Sequence, residues 1–139
     1  MKKLPDWQSM FDSFVSNNNF PFEWGKWDCC KFSNALIKVM TGEDLIPKTL
    51  NWKDEDSAMK AIKAYGKTLE LSIEKVCKDN SVEEIDKVYM TCGDLVVYKQ
   101  EGGESELVGI CNGFGILTPN DDGIGVVACD LAYRVWRFD

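Results

Sequence analysis

The stretch WGKWDCCKFSNALIKVM, residues 24–40, carries the strongest helical pattern in the sequence. Asp28 is a favourable N-cap and Gly42 a favourable helix end, so these two residues delimit one helix. Apolar side chains recur between them at helical spacing: Phe32, Ala35, Leu36, Val39 and Met40. At about 100° per residue, Cys29 lies at the edge of this stripe and Cys30 points further round the helix. The pattern predicts a central, buried helix whose first turn carries two thiols in different environments.

Helices are also predicted on both sides of this segment. Apolar residues spaced by three and four predict a short helix over residues 5–16, with Pro5 in its first turn. Asparagines and a proline then predict a loop over residues 17–27. Further along, acidic residues at a helix start, a helical apolar pattern and Gly66 predict a helical hairpin over residues 54–78.

Strands are predicted for the last third of the chain. From Cys92 onward the apolar residues alternate or run continuously, with glycine, asparagine and aspartate between the runs. Five strand-like segments result: DLVVY (94–98), ELVGIC (106–111), FGILT (114–118), GIGVVAC (123–129) and YRVWRF (133–138). Gly93 and Asp94 are expected to form the turn that starts the first of them, and EGGESE, NGFG and PNDDG are typical of hairpin turns. The strands are therefore expected to form an antiparallel meander or a small curled sheet.

These elements together indicate one α+β domain spanning residues 1–139. Its helical part is expected at 1–90 and its antiparallel sheet at 92–138, with the central helix packed on the sheet. A chain of 139 residues with 45% hydrophobic content is of the usual size for one domain with its own core.

The charge and the N-terminal sequence argue against several classes of function. Lysine and arginine number 16 against 23 aspartates and glutamates, and the resulting net charge of -7 argues against binding to nucleic acid or anionic membranes. No apolar run approaches the ~20 residues that membrane insertion needs. Pro5, Asp6 and Gln8 interrupt the apolar run of a signal peptide, so we expect no secretion by the standard route.

The six cysteines are expected to be thiols, because nothing in the sequence indicates an oxidising compartment. They are Cys29, Cys30, Cys77, Cys92, Cys111 and Cys129. The last four are interpreted as small buried apolar residues. The sequence has no C-x-x-C pair and no histidine, so we expect no zinc site, and no other cofactor is indicated.

Cys29 is the candidate nucleophile. Unpaired N–H groups and the dipole at a helix N-terminus stabilise a thiolate and help to hold an oxyanion. Asp28 opposes this effect, because an adjacent carboxylate raises the pKa of a thiol. Lys26 and Lys31 favour the thiolate without accepting its proton. Since the sequence contains no histidine, the usual general base for a cysteine nucleophile is missing.

Several segments together resemble a known family. FEWGKWDCCKF is similar to the W-G-x-x-D-C-x-x-F segment of NlpC-type peptidases, and GDLVVY is similar to their G-D-L-V-x-F strand. ELVGICNG lies where these peptidases have an H-V-G-I-Y strand. With the closing AYRVWRF, the sequence looks like a phage-associated branch of this papain-like superfamily, encoded among tail genes. The resemblance runs from about Phe22 to the end of the chain, and the helical hairpin is its least familiar part.

The resemblance implies a papain-like fold with Cys29 at the nucleophile position and Leu107 in the place of the catalytic histidine. Leucine cannot transfer a proton, so the resemblance also implies that the usual mechanism is lost. Cys29 is then interpreted as a vestigial nucleophile, and Cys30 as a packing residue or half-exposed thiol. Trp24 and Trp27 either line a substrate groove or, in the interpretation we prefer, cover the end of the central helix.

The function expected from this resemblance is that of a non-catalytic structural or assembly component of a phage tail tip or baseplate. Its partners would be other tail or baseplate proteins, with cell-wall peptides as a further candidate contact. The expected location is the virion tail, after synthesis in the cytoplasm of the bacterial host. One alternative is an active cysteine hydrolase of cell-wall peptides that uses Cys29 with an unconventional or partner-supplied base. A second is a small acidic protein that inhibits a host system by engaging a basic partner.

Overall fold

Helices come first and most of the strands come last, in a computed structural model that describes all residues from 1 to 139. The helices are α1 (Trp7–Asn17), α2 (Cys29–Thr41), α3 (Glu55–Gly66) and α4 (Leu69–Asp79). The strands are β1 (Glu83–Ile85), β2 (Leu95–Lys99), β3 (Glu106–Cys111), β4 (Ile116–Asn120), β5 (Gly123–Val127) and β6 (Ala132–Arg137). Short 3-10 helices span Lys87–Tyr89 and Cys129–Leu131. The expected α+β class is confirmed, and no helix combines the length and apolarity that crossing a membrane requires.

The six strands form one antiparallel sheet in the order β1-β6-β2-β3-β4-β5. Strands β2 to β5 are joined by hairpins and form the predicted meander. Strand β6 then returns to the other side of β2, so that Leu95 is paired with both Ile110 and Trp136. Strand β2 therefore lies inside the sheet and is buried along almost its whole length, as its uninterrupted apolar sequence LVVY requires.

The sequence did not predict β1. This strand lies inside residues 1–90, which were expected to be helical, and it pairs with β6 from Glu83↔Arg137 to Ile85↔Val135. It is three residues long and two of them are glutamates, so it has neither the alternation nor the apolar content of a strand signal. Its pairing with β6 joins residues about fifty positions apart, which no local pattern records.

Helix α2 is central and buried, as predicted, and it packs between α1 and strand β3. Phe32, Leu36 and Met40 of the predicted stripe are fully buried. Ala35 and Val39 are only half-buried, and the buried arc extends instead over Ser33, Ile37 and Thr41. The arc is broader than the apolar stripe and rotated from it, because the sheet and α1 cover the helix from two sides.

The predicted hairpin over residues 54–78 is confirmed as α3 and α4. Asp54 accepts from the Ser57 backbone N–H (2.8 Å) and the Ser57 hydroxyl interacts with the backbone N–H of Asp54, which together form a capping box. Helix α1 is also present, but it begins at Trp7 rather than at Pro5, with Asp6 at the N-cap position.

Arg134 of β6 joins the helical hairpin to the sheet. Its guanidinium lies 2.6 Å from a carboxylate oxygen of Glu74 and 3.4 Å from one of Glu70, both on α4. It also lies 2.7 Å from Glu84 of β1 and stacks over the ring of Trp136 at 4.9 Å. Glu84 and Glu74 hold the pKa of Arg134 above its ordinary value, with the Glu84 hydrogen bonds as the largest cause. One residue thus ties three elements together.

Candidate functional site

The first turn of α2 is fixed by the buried carboxylate of Asp28, which is only 1% exposed. One oxygen accepts from the Lys31 backbone N–H at 2.9 Å, as expected for an N-cap. The other accepts from the Gly25 backbone N–H at 2.9 Å and from the Trp52 indole Nε1 at 2.7 Å. Asp28 therefore caps the helix and also anchors two loops beside it.

The two anchored loops pack tightly against each other. Gly25 has a φ of +80°, and a Cβ at this position would lie 2.7 Å from the backbone of Lys53, so only glycine fits. Trp52 is held a second time by Lys31, whose Nζ lies 4.4 Å from the centroid of the indole ring. The Trp52 ring is consequently fixed beside the N-terminus of α2.

A cleft of about 650 Å³ opens at this end of α2. Cys29 and Leu107 both line it, and Trp24 and Trp52 contribute aromatic surface. Both basic and acidic side chains also line the cleft. The basic ones are Lys63, near the end of α3, and Lys67, just after it; the acidic ones include Glu55 and Glu106. The cleft is large enough for a peptide segment or a small molecule. The structure thus brings together the two residues that the sequence analysis paired as nucleophile position and missing histidine.

The two adjacent thiols differ in their acidity. The pKa of Cys29 is lowered by its interaction with the Cys30 thiol and by the backbone N–H groups of Val108 and Cys30, against opposing effects of burial and Asp28. The pKa of Cys30 is raised well above its ordinary value by the interaction with Cys29 and by burial. Cys29 is therefore the thiol that ionises first, as its place at the helix N-terminus predicts. Only 8% of Cys29 is exposed, and that surface faces the cleft.

The cleft has no proton acceptor at position 107, where the side chain is leucine. Leu107 is half-buried at the start of β3, where its backbone pairs with Tyr98 of β2. Its neighbour Glu106 has a carboxylate, but this group accepts a hydrogen bond from the Glu70 backbone N–H at 3.1 Å, at the start of α4. The carboxylate nearest to position 107 in sequence is thus already engaged in holding α4 to the sheet.

The two tryptophans before α2 have different positions. Trp24 lies in the wall of the cleft, edge-to-face with Phe22 at 4.9 Å between ring centroids. Trp27 instead packs among Phe14, Phe20 and Phe32 at 5.6–6.0 Å and covers the start of α2. The sequence left two alternatives for this pair, lining a groove or covering the end of the helix. Trp24 lines the cleft, and Trp27 covers the helix.

The remaining cysteines are divided between buried and half-buried positions. Cys77 and Cys111 are buried, Cys92 and Cys129 are half-buried, and all six thiols are free. Burial raises the pKa of Cys77 to about 12 and that of Cys111 to about 11. No three acidic or cysteine side chains lie close enough together to hold a metal ion.

Two hydrogen-bond partners of buried aspartates, Trp52 in the site and Arg137 at the junction of β2 and β6, were not recognised from the sequence. Trp52 lies in the irregular segment between α2 and α3, and its indole N–H reaches Asp28 across 24 positions. Arg137 was read only as part of the last strand, although its guanidinium binds the fully buried Asp94. A buried aspartate needs hydrogen-bond donors. Asp28 and Asp94 both lie among apolar residues in the sequence, and this pattern could have indicated that each has such a donor. Nothing in the sequence says which distant residue supplies the donor.

The fold and the site therefore define an α+β domain in which a cysteine-bearing helix N-terminus faces an antiparallel sheet across a cleft. A family model described as "Domain of unknown function (DUF6950)" matches residues 2–138, and the chain belongs to that family. No curated protein shows significant similarity to this chain.

Proposed function

We propose that this chain is a non-catalytic relative of the NlpC-type papain-like peptidases that serves as a structural or assembly component of a phage tail tip or baseplate. The sequence similarity to NlpC-type segments and to their phage-associated branch supports the proposal. So does the position of Cys29, at the N-terminus of a buried helix and beside β3, which is the placement the resemblance implies.

The loss of catalysis is supported by one observation above all. Leu107 lines the same cleft as Cys29, at the position where the related peptidases have their histidine, and the chain contains no histidine at all. A general base contributes roughly 10²- to 10⁴-fold to the rate, and losing one member of a cooperating catalytic unit often costs more. A lowered thiol pKa leaves Cys29 reactive toward electrophiles, but it supplies no proton to the leaving amine.

What the chain retains is a shaped surface. The cleft keeps aromatic walls at Trp24 and Trp52 and a rigid floor, because Asp28 fixes both adjoining loops. Aromatic surface around a concave site is typical of binding sites, whether or not chemistry takes place there. In an assembly, this cleft is the candidate contact for a neighbouring tail protein or a cell-wall peptide.

The catalytic part of the proposal is tested with purified protein and murein peptides. The wild type and Cys29→Ala should both leave the peptides uncut over hours. Leu107→His should lower the pH at which Cys29 is alkylated by iodoacetamide, because an imidazolium near the sulfur stabilises the thiolate. Leu107→Gln is the matched control and should leave that pH unchanged. Peptide cleavage by the wild type that disappears in Cys29→Ala would overturn the proposal.

The assembly part needs a separate measurement. Purified tail-tip and baseplate proteins from the same phage should retain the chain in a pull-down, while a host extract should not. Retention by host proteins alone would favour the inhibitor alternative instead.

An active hydrolase remains the second candidate, supported by the lowered pKa of Cys29 and its access to the cleft. Such an enzyme would need an unconventional base or one supplied by a partner chain. A structure of the assembled complex with a partner histidine within about 4 Å of the Cys29 sulfur would make this the better proposal.

A further inference from the structure

The two edges of the sheet are protected to very different degrees. Strand β1 at one edge has three residues and carries Glu83 and Glu84, which is how natural proteins discourage strand pairing at an edge. Strand β5 at the other edge has five residues, Gly123–Val127, with no charged side chain and no proline. The β5 edge therefore lacks the charged residues and prolines that commonly prevent another strand from adding to a sheet.

The turn between β4 and β5 determines which backbone groups of β5 point toward β4 and which point away from the sheet. Asn120 and Gly123 are paired across a two-residue turn, so they exchange ladder hydrogen bonds, and every second residue of β5 does the same with β4. Ile124 and Val126 consequently point their backbone groups away from the sheet. The Ile124 N–H donates to the Asn19 side-chain oxygen at 2.7 Å, whereas the outward N–H and C=O of Val126 have no partner in the protein.

An exposed apolar surface accompanies these free backbone groups. The side chain of Val126 is 63% exposed and lies directly over Gly115, where no Cβ would fit. Phe114, which precedes Gly115 at the tip of the β3–β4 hairpin, is 92% exposed. Phe114, Gly115 and Val126 therefore form one apolar patch next to the free edge, at the opposite end of β3 from the cleft.

The charges around the edge define its partner. Asp121 and Asp122 precede β5 and Asp130 follows it; all three are exposed and none is in an ion pair. No lysine or arginine occurs between Leu107 and Tyr133. Antiparallel pairing of two β5 strands would bring these acidic ends together, so a second copy is disfavoured. An added strand with lysine or arginine at its ends is the complementary partner.

We propose that the β5 edge, with Val126 and Phe114, binds an extended segment of another protein that has apolar residues in its centre and basic residues at its ends. The segment adds to the sheet as a seventh strand. Its backbone bonds with Val126, its apolar side chains cover the patch, and its basic ends meet Asp121, Asp122 and Asp130. This surface is distinct from the cleft and does not depend on the chemistry at Cys29.

The probe is a synthetic seven-residue peptide, Lys-Val-Thr-Val-Thr-Val-Lys, with an Asp-Val-Thr-Val-Thr-Val-Asp peptide as its matched control. In NMR titrations of the full chain, the lysine peptide should shift the amide signals of residues 123–127 and protect the Val126 N–H from exchange. The aspartate peptide should bind at least tenfold more weakly, and added salt should weaken only the lysine peptide.

Variants separate strand pairing from general attraction by the acidic surface. Val126→Lys should weaken binding of the lysine peptide at least tenfold, because it removes apolar contact and adds a like charge. Leu71→Lys adds the same charge on the exposed side of α4 and should leave binding unchanged, as should Leu107→His in the cleft. Val126→Pro removes the outward N–H without breaking a hydrogen bond to β4, and it should also abolish the shifts at β5.

Several results would overturn this proposal while leaving that for the cleft untouched. They are an absence of binding by the lysine peptide, equal binding of both peptides, or shifts confined to residues outside β5. A dimer in sedimentation experiments that Val126→Lys dissociates would identify a second copy as the occupant, which also contradicts it.

Discussion

Asp28 and Asp94 are both buried carboxylates, 1% and 0% exposed, and each begins a central element of the fold. Asp28 precedes α2 and is bound only by neutral donors, namely two backbone N–H groups and the Trp52 indole. Asp94 precedes β2 and is bound by Arg137 at 2.8 and 3.0 Å and by the Thr91 backbone N–H at 2.8 Å.

The comparison shows two ways of burying a negative charge. The Arg137 guanidinium pairs with Asp94, and the hydrogen bonds that Arg137 donates to Asp94 are the largest cause of the raised pKa of Arg137. Asp28 accepts no hydrogen bond from a cationic side chain, and its coulombic effect works against the lowering of the pKa of Cys29. Asp94 therefore joins the start of β2 to β6 through an ion pair, whereas Asp28 both supports the fold and opposes ionisation of the thiol in the cleft.

Asp94→Ala should have the largest effect on stability. It leaves the Arg137 guanidinium without its partner at the junction of β2 and β6, and breaking one side of a buried ion pair typically costs about 3–5 kcal/mol. The free energy of unfolding from urea denaturation followed by circular dichroism measures it. Because Arg137 is 35% exposed on its side chain, the lower end of that range is expected.

The double variant Asp94→Leu/Arg137→Met is the control for that result. Replacing both partners by apolar residues leaves no unpaired charge, so it should be less destabilising than Asp94→Ala alone. Equal losses in both variants would mean that shape, rather than the charge pair, makes Asp94 important.

Asp28→Ala should have the next largest effect. Loss of an N-cap costs about 1 kcal/mol, and leaving the Trp52 indole and Gly25 N–H groups unsatisfied adds roughly 1–2 kcal/mol. The same denaturation experiment measures the sum. Asp54→Ala removes the fully exposed N-cap of α3 and should be less destabilising than Asp28→Ala, because it leaves no buried donor without a partner.

Trp52→Phe distinguishes the contributions to the Asp28 effect. It removes a single donor to Asp28 and keeps the aromatic ring, so about 1 kcal/mol is expected. If Asp28→Ala proved no more costly than Asp54→Ala, the anchoring of the two loops by Asp28 would be energetically unimportant.

The smallest expected effect is a difference in reactivity between the thiols that lie near Asp28 and Asp94. Cys29 follows Asp28 and has a lowered pKa, whereas burial raises that of Cys111, near Asp94, to about 11. At pH 8 iodoacetamide should therefore modify Cys29 at least about tenfold faster than Cys111, since one pKa unit is a tenfold change in thiolate. Site-resolved mass spectrometry of the folded protein measures both rates, and the reverse order would contradict the assignment.

Stability should respond to the two thiols with opposite signs. A folded pKa above the unfolded value of about 8.5 means that the contribution of neutral Cys111 is present below that pH. It is lost as the pH rises through about 11. The lowered pKa of Cys29 has the opposite effect, and its contribution is lost as the pH falls through the folded value. Cys111→Ala should therefore reduce the loss of stability at alkaline pH, and Cys29→Ala should not.

The sequence predicted the elements that have a local pattern. Helix α2 and its limits followed from Asp28, Gly42 and the apolar spacing, and the hairpin and meander followed from capping residues, glycines and alternation. Strand β1 was missed because its three residues have no pattern of their own, and the return of β6 to β2 was missed because it is a long-range pairing. The site was predicted unevenly for the same reason: Cys29 and Leu107 lie in recognisable segments, but Trp52 lies in an irregular connection.

The sequence by itself determined that a thiol stands at the start of a buried helix in a chain without histidine, because helix period, N-cap chemistry and composition are local properties. Only the tertiary structure decided that Leu107 shares a cleft with Cys29, that Asp28 depends on Trp52 and Asp94 on Arg137, and that β5 rather than β1 is the open edge. Those facts depend on which distant segments meet, and the burial that selects such contacts arises from the whole chain rather than from any one stretch of it.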